Sequence, residues 1–328
     1  MRGLRVLVTG ASGFIGRAVC KQAAREGWAA RPALRKYRDL PAGGVESIVV
    51  GEVTGATDWS RALDDIEVVV HLAARAHILQ ETAVEPLADF RRVNTEGTLN
   101  LARQAAAAGV RRFVFLSSLG VNGNRTLGEP FTESSTPKPH DWYTISKFEA
   151  EQGLMAITHE TGMEVVIIRP PLVYGPGVKA NFARLLRLVD SGAPLPFASV
   201  RNARGLIFLG NLVDFITLCL KHPAAAGQTF LVSDGHDLST PELIRKLAQA
   251  LGKPARLLPC PPALLRLLGA VSGRSREIDR LCGSLTVDNT AARAALAWRP
   301  PFTVEQGLRQ TVDWYRQGQA EAVARGKL

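Results

Sequence analysis

Cysteine is scarce, with only Cys20, Cys219, Cys260 and Cys282 in 328 residues. None belongs to a C-x-x-C pair and none stands close to a histidine, so neither a zinc site nor a disulfide framework is expected. Long apolar runs are missing. The nearest, residues 257–271, is broken by Pro259, Pro261, Pro262 and Arg266, which excludes an integral membrane segment there. A signal-peptide layout is missing too, since the N-terminus enters a strand-like run almost at once, and a cytoplasmic location is the expectation. There is no internal repeat and no low-complexity linker. The chain carries a net charge of +10, yet it has no run of five or more basic residues and no aromatic interleaving, which argues against a nucleic-acid partner. Two readings of the charge remain: an anionic surface such as a membrane face, or a small phosphorylated ligand.

What is present is a globular composition, 46% apolar and 21% charged, in a chain long enough for one large domain or two small ones. Its first half alternates β-rich runs with helical stretches. "LRVLVTG", "WAARPALR", "ESIVVGEV", "IEVVVHLAA", "RRFVFLSS" and "MEVVIIRPP" read as strands, with Pro32 weakening the second. A long helix is expected over about residues 86–108 and another from Trp142. Near-continuous apolar strands alternating with helices predict an α/β fold with a doubly wound parallel sheet of the Rossmann kind. After Gly175 the pattern loosens into a smaller C-terminal α/β lobe. The expected division is residues 1–175 with about 206–234 returning to them, against 176–205 and 235–328 as the substrate lobe.

"VTGASGFIG" follows the first strand and opens the first helix, placing Gly10, Gly13 and Gly16 in a G-x-x-G-x-x-G spacing. One glycine allows a tight turn, a second lets a pyrophosphate approach the backbone, and a third lets the helix pack on the sheet. The acid that bonds a ribose 2′-hydroxyl in NAD-binding chains belongs at the end of the second strand. Arg35 stands there instead, with Lys36 and Arg38 beside it. A planar guanidinium suits a 2′-phosphate, so NADP(H) is expected and NAD(H) is the alternative.

"WYTISKFEAE" places Tyr143 and Lys147 four apart, on one face of a helix. A tyrosine with an ordinary pKa of about 10 is a poor base, and a nearby ammonium would lower that value. The pair could then exchange a proton with a sugar hydroxyl or carbonyl. Ser117 and Ser118 end a strand, the edge at which such sheets bind ligands, and a hydroxyl there could polarise the same oxygen. His71, His77 and His140 are expected to be structural, and Trp142 to pack or to form a sugar-stacking wall.

These motifs, with "HLAARAH", "VNTEGTLNLARQA", "IRPPLVYGPG" and "LAWRPPFTVEQGL" in order along nearly the whole chain, resemble the extended short-chain dehydrogenase/reductase family and its nucleotide-sugar epimerase/dehydratase group. The resemblance implies an enzyme in which Tyr143 is the acid/base, Lys147 contacts the nicotinamide ribose and tunes it, and Ser118 is the catalytic serine. It implies cofactor contacts from Gly10, Ser12, Gly13, Phe14, Ile15, Gly16, Leu72, Ala73, Ala74, Asn94 and Pro170. It implies a UDP-sugar held by Ser118, Leu119, Asn181, Arg204 and Arg280, and a homodimer built on residues 86–108 and 142–160. Two departures sharpen it. Ser118-Leu119-Gly120 replaces the Thr-Asp-Glu of dehydratases, which argues against water elimination, and Leu172 replaces a nucleotide-contacting asparagine. An epimerase gains nothing from NADPH, whereas a reductase consumes it, so Arg35 directs the expectation to a 4-keto reductase making a UDP-6-deoxy-HexNAc for surface polysaccharide. The alternatives are a UDP-glucose or UDP-GlcNAc 4-epimerase with tightly bound NAD and, from another class, a non-catalytic NADP-binding scaffold or sensor. The apolar stretch near residues 264–271 is expected to be a core helix, with contact to a membrane or a partner chain as the alternative.

Overall fold

A computed structural model describes residues 3–36, 46–76 and 85–324. His77 and Arg38 lie outside the described residues. The first lobe opens with β1 (Arg5–Thr9), α1 (Phe14–Arg25), β2 (Ala29–Leu34), β3 (Ile48–Val49), α2 (Ser60–Leu63), β4 (Val68–His71), α3 (Pro86–Arg91) and α4 (Gly97–Ala107). It continues with β5 (Arg112–Leu116), α5 (Trp142–Thr161) and β6 (Glu164–Arg169). Then come β7 (Leu172–Tyr174), α6 (Ala180–Asp190), β8 (Leu206–Phe208), α7 (Leu209–Cys219) and β9 (Thr229–Leu231). The chain ends with α8 (Thr240–Ala250), α9 (Pro262–Val271), α10 (Ser275–Cys282), α11 (Thr290–Leu296) and α12 (Val304–Ala324).

Seven parallel strands form one sheet in the order β3-β2-β1-β4-β5-β6-β9, which reverses direction between β1 and β4. Such a reversal opens a crevice at the carboxyl ends of the strands. Pro32 is tolerated in β2 because β3 pairs only with Ala33 and Leu34, leaving no ladder bond on that side at Pro32. Val6, Val8, Val68 and Val70 pack towards one helical layer and Leu7, Val69, Phe113 and Phe115 towards the other, all buried. Hence the strands read as continuous apolar runs.

β9 completes the large sheet beside β6, and α7 packs on the same side as α1. β8 pairs instead with β7 in a two-stranded sheet. Asp234 ties these pieces together: it accepts from the Tyr174 hydroxyl at 2.8 Å, the Phe208 amide at 2.8 Å and Asn211 Nδ2 at 2.7 Å. The remainder is mainly helical and has its own core around Phe182, Leu186, Ile244, Leu247 and Leu308.

Residues 86–107 form one long helical run, but residues Arg92–Glu96 make a π-turn between α3 and α4. One extra residue per turn is inserted there, and such insertions concentrate at functional sites. α9 corrects the expectation of a core helix. Only Leu265 and Gly269 face inward, while Leu264, Leu267, Leu268 and Val271 are exposed. Among the described residues no helix is long and apolar enough to cross a membrane.

Candidate active site

The β1–α1 turn is built by exclusion of side chains. Gly10 has φ +65°, and a Cβ there would lie 2.8 Å from the Ala73 nitrogen. At Gly16 a Cβ would lie 2.2 Å from the Gly10 oxygen, so α1 can sit this close to the turn only with glycine at that point. Thr9 Oγ1 accepts from the Leu72 and Ala73 amides at 3.1 and 3.2 Å, which draws the end of β4 against the turn. His71 bridges Thr9 Oγ1 at 2.7 Å and Thr98 Oγ1 at 2.9 Å. Burial, with the Lys147 charge, pushes its pKa down to about 3, so it is a neutral structural group. Asn94, in the π-turn, accepts from the Arg75 amide and donates to the Arg75 carbonyl and Ser146 Oγ. It therefore fastens the loop after β4 to α5.

Asp141 caps α5 through the Thr144 amide at 2.8 Å, and the Thr144 hydroxyl reaches back to the Asp141 amide. This reciprocal cap starts the helix at Trp142 and puts Tyr143 in its first turn. After β5, Ser118 Oγ accepts from the Gly120 amide at 3.1 Å and opens a tight turn. A Cβ at Gly120 would lie 2.6 Å from Thr144 Cγ2. That contact seats the serine turn on the first turn of α5, beside Tyr143, and any side chain at 120 would have to displace Thr144. Leu119 and Ser117 are held by the Pro170 and Ile168 carbonyls.

The Tyr143 ring meets Phe90 edge-on at 6.5 Å. Burial and the Asp141 charge push the phenol up to about 12, so the protein by itself holds it protonated. The expectation that Lys147 lowers this value is not met in the protein alone. Lys147 is only 1% exposed, with Nζ 3.9 Å from the Phe115 ring centroid, and burial pushes it down to about 7 against the opposing pull of Glu151. An ammonium half lost at neutral pH cannot favour phenolate strongly. Glu151 is itself engaged, in a two-pronged pair with Arg169 that also reaches Asn122 Oδ1 at 3.1 Å. Arg169 and Asn122 were not singled out by sequence; their signal was the buried position of an arginine closing an apolar strand.

Burying charged Lys147 costs roughly 3–5 kcal/mol by its displacement from 10.5. Its folded value is depressed, so the deficit is complete below pH 7 and fades as pH rises from about 7 towards 10.5. Lys147→Met is accordingly expected to melt higher than the parent at pH 6, by an increment that shrinks by pH 10, while turnover is lost. Equal increments at both pH values would show that the lysine is not held in a desolvated site.

Arg35 and Lys36 follow β2 directly, and both are exposed. In the second lobe Arg204 Nη1 donates to the Arg280 carbonyl at 2.7 Å and to the Gly283 carbonyl at 3.1 Å. Burial and the charge of Arg280 push Arg204 down to about 10, so two cations are pressed together where an anion would relieve them. Asn181 lies exposed at the start of α6, after Ala180 at φ +54°, and does not join the arginine pair. Arg184 of the same helix reaches Glu277 of α10 at 3.7 Å, which keeps the two helices neighbours.

The residues present fit a dinucleotide. Gly13 caps the first turn of α1 and a Cβ there would meet nothing but the Gly10 oxygen, and the buried Ser117 Oγ has no hydrogen-bond partner among the described residues. A glycine turn at the sheet reversal, with a tyrosine, a buried lysine and a strand-end serine, is the arrangement expected of a nicotinamide-nucleotide enzyme. Residues 6–233 match the model of the NAD dependent epimerase/dehydratase family, and the chain belongs to that family. It is 47% identical over 95% of both chains to a UDP-glucose 4-epimerase of Vibrio cholerae. It is 27% identical over 94% of both chains to the N-acetyl-α-D-glucosaminyl-diphospho-ditrans,octacis-undecaprenol 4-epimerase of Escherichia coli O157:H7. Among solved structures, UDP-glucose 4-epimerase of Thermotoga maritima with UDP-glucose superposes with a TM-score of 0.76 at 23% identity, over 96% of this chain and 100% of that one. UDP-glucuronic acid 4-epimerase of Bacillus cereus with NAD gives 0.77 at 20% identity, over 96% and 99%.

Proposed function

We propose that the chain is a UDP-hexose or UDP-HexNAc 4-epimerase. The observation that carries this reading is the 47% identity to a UDP-glucose 4-epimerase, which runs through both lobes. A reaction confined to proton and electron transfer at one sugar carbon is supported by Leu119 and Gly120, which supply no acid after Ser118 of the kind that water elimination would need. The nicotinamide, when bound, supplies a reversible store for the electron pair of the C4–H bond. Tyr143 is the group to take the proton from the C4 hydroxyl and to give it back to the C4 carbonyl, and the neutral phenol of the free protein is the donor form. Lys147, when protonated, is the group that favours the acceptor form. Ser118 Oγ, fixed by the Gly120 amide, is the hydroxyl that polarises the same oxygen. Arg204 and Arg280 are the groups to take the diphosphate, while Asn181 stays outside that pair at the exposed start of α6.

A second reading, the 4-keto reductase, is favoured by Arg35 and Lys36 standing where an acid would meet a ribose 2′-hydroxyl. Incubation with UDP-glucose or UDP-GlcNAc without added cofactor separates the two. Interconversion with the C4 epimer supports the first. No interconversion even with added NAD⁺, together with NADPH consumption on a UDP-4-keto sugar, overturns it. Cofactor preference can be tested separately. Arg35→Asp is expected to weaken NADP(H) binding about ten- to hundred-fold, the loss of one charge-assisted contact, and to leave NAD(H) equal or tighter. An unchanged NADP(H) affinity by titration would remove Arg35 from the cofactor site.

A further inference from the structure

We infer that α9 is a docking surface for the anionic face of a lipid bilayer. Leu264, Leu267, Leu268 and Val271 are 45%, 59%, 55% and 82% exposed. They fall at i, i+3, i+4 and i+7 and therefore share one side of the helix. Leu258, just upstream, is 51% exposed. Only Leu265 and Gly269 are buried, and a Cβ on Gly269 would lie 2.9 Å from Ile278 Cγ1, so α9 rests on α10 by a narrow seam and turns its leucines outward. A soluble chain rarely leaves four large apolar side chains together on one exposed helix face without a use.

The charge around the patch selects the occupant. Arg256, Arg266 and Arg274 are exposed on and beside α9. Arg266 stands on α9 itself and shares its charge with Asp279 at 3.8 Å, both side chains being more than half exposed. Arg274 follows the helix and Arg256 lies in the segment leading to it, both exposed. Glu277 is drawn towards Arg184. Leucines bordered by arginines match an acyl boundary below a layer of phosphates, where arginine stems can lie along apolar surface with their heads in the phosphate layer. Ten residues cannot span a bilayer, so the helix would lie in the interface plane. A second copy of the chain fits less well. A two-fold contact through this face would press the exposed Arg256, Arg266 and Arg274 of one copy towards those of the other, like charge against like charge. α9 packs on α10, which carries Arg280, so docking would hold the second lobe of the enzyme against the membrane.

Co-sedimentation with vesicles of phosphatidylcholine alone, or of phosphatidylcholine with phosphatidylglycerol, tests this. The parent is expected to partition at least about ten-fold more strongly onto the anionic vesicles, and less so in high salt. Leu267→Ser/Leu268→Ser/Val271→Ser and, separately, Arg266→Glu/Arg274→Glu should abolish binding with melting temperatures unchanged, which keeps a folding failure distinguishable. The inference is overturned if the parent binds neither vesicle, or if the triple-serine variant binds as well as the parent. It is also overturned if the parent self-associates without lipid and the triple-serine variant does not, since a second copy would then cover the face.

Discussion

Tyr143→Phe is expected to lower kcat by roughly three orders of magnitude while leaving KM and cofactor affinity within a few-fold. Phenylalanine keeps the ring, and with it the edge contact to Phe90, and deletes only the oxygen that carries the proton. The substitution also removes a half-buried phenol whose pKa burial and Asp141 push up to about 12, so no folded-state charge is lost and the melting temperature should hold. Steady-state kinetics on the UDP-sugar, with a cofactor titration alongside, measure all three quantities. A variant that retains a tenth of the parent's kcat would exclude Tyr143 as the proton carrier. A large rise in KM with kcat intact would make it a binding residue instead.

Arg169→Met is expected to cost about 3–5 kcal/mol, the largest stability loss proposed for this chain. The Arg169 and Glu151 side chains are 7% and 4% exposed, so removing the guanidinium strands a carboxylate in a dry setting and leaves Asn122 Oδ1 without its donor. For a domain of this size the melting temperature should fall by on the order of 10 °C. Glu151→Leu combined with Arg169→Met should recover much of the loss, because two well-packed apolar residues can replace a buried pair almost without cost. Thermal unfolding of the single and double variants decides the matter. A single variant as stable as the parent would mean that water reaches the pair. Activity should fall as well, since the pair joins α5, which carries Tyr143, to the end of β6.

Much of this was legible in the sequence. Gly10, Gly13 and Gly16 after an apolar strand pointed to the close turn between β1 and α1, and the alternation of strands and helices pointed to the parallel sheet. The harder features depend on contacts between segments far apart. Nothing local distinguishes a π-turn at Asn94 from plain helix. The value of Tyr143 depends on how deeply the first turn of α5 is buried and on Asp141, and a four-residue spacing to lysine cannot report either. Arg35 pulled the expectation towards a reductase because one residue was given the weight of a whole chain. The identity that runs through the second lobe supports epimerisation better. The leucines of α9 look like core by composition, and only the position of Gly269 against Ile278 shows which way they face.

The return of β9 to the large sheet bears on how the chain is made. When the ribosome has released everything through Gly175, the first lobe still lacks its last strand. β6 then presents a bare edge, and α1 lacks its cover by α7. Closure waits until Leu231 has emerged, after residues of the second lobe have already been synthesised. Open strand edges of this kind invite pairing with other chains. The slow, exposed interval of biosynthesis is therefore the stretch between those two residues, and it ends when the sheet gains its seventh strand.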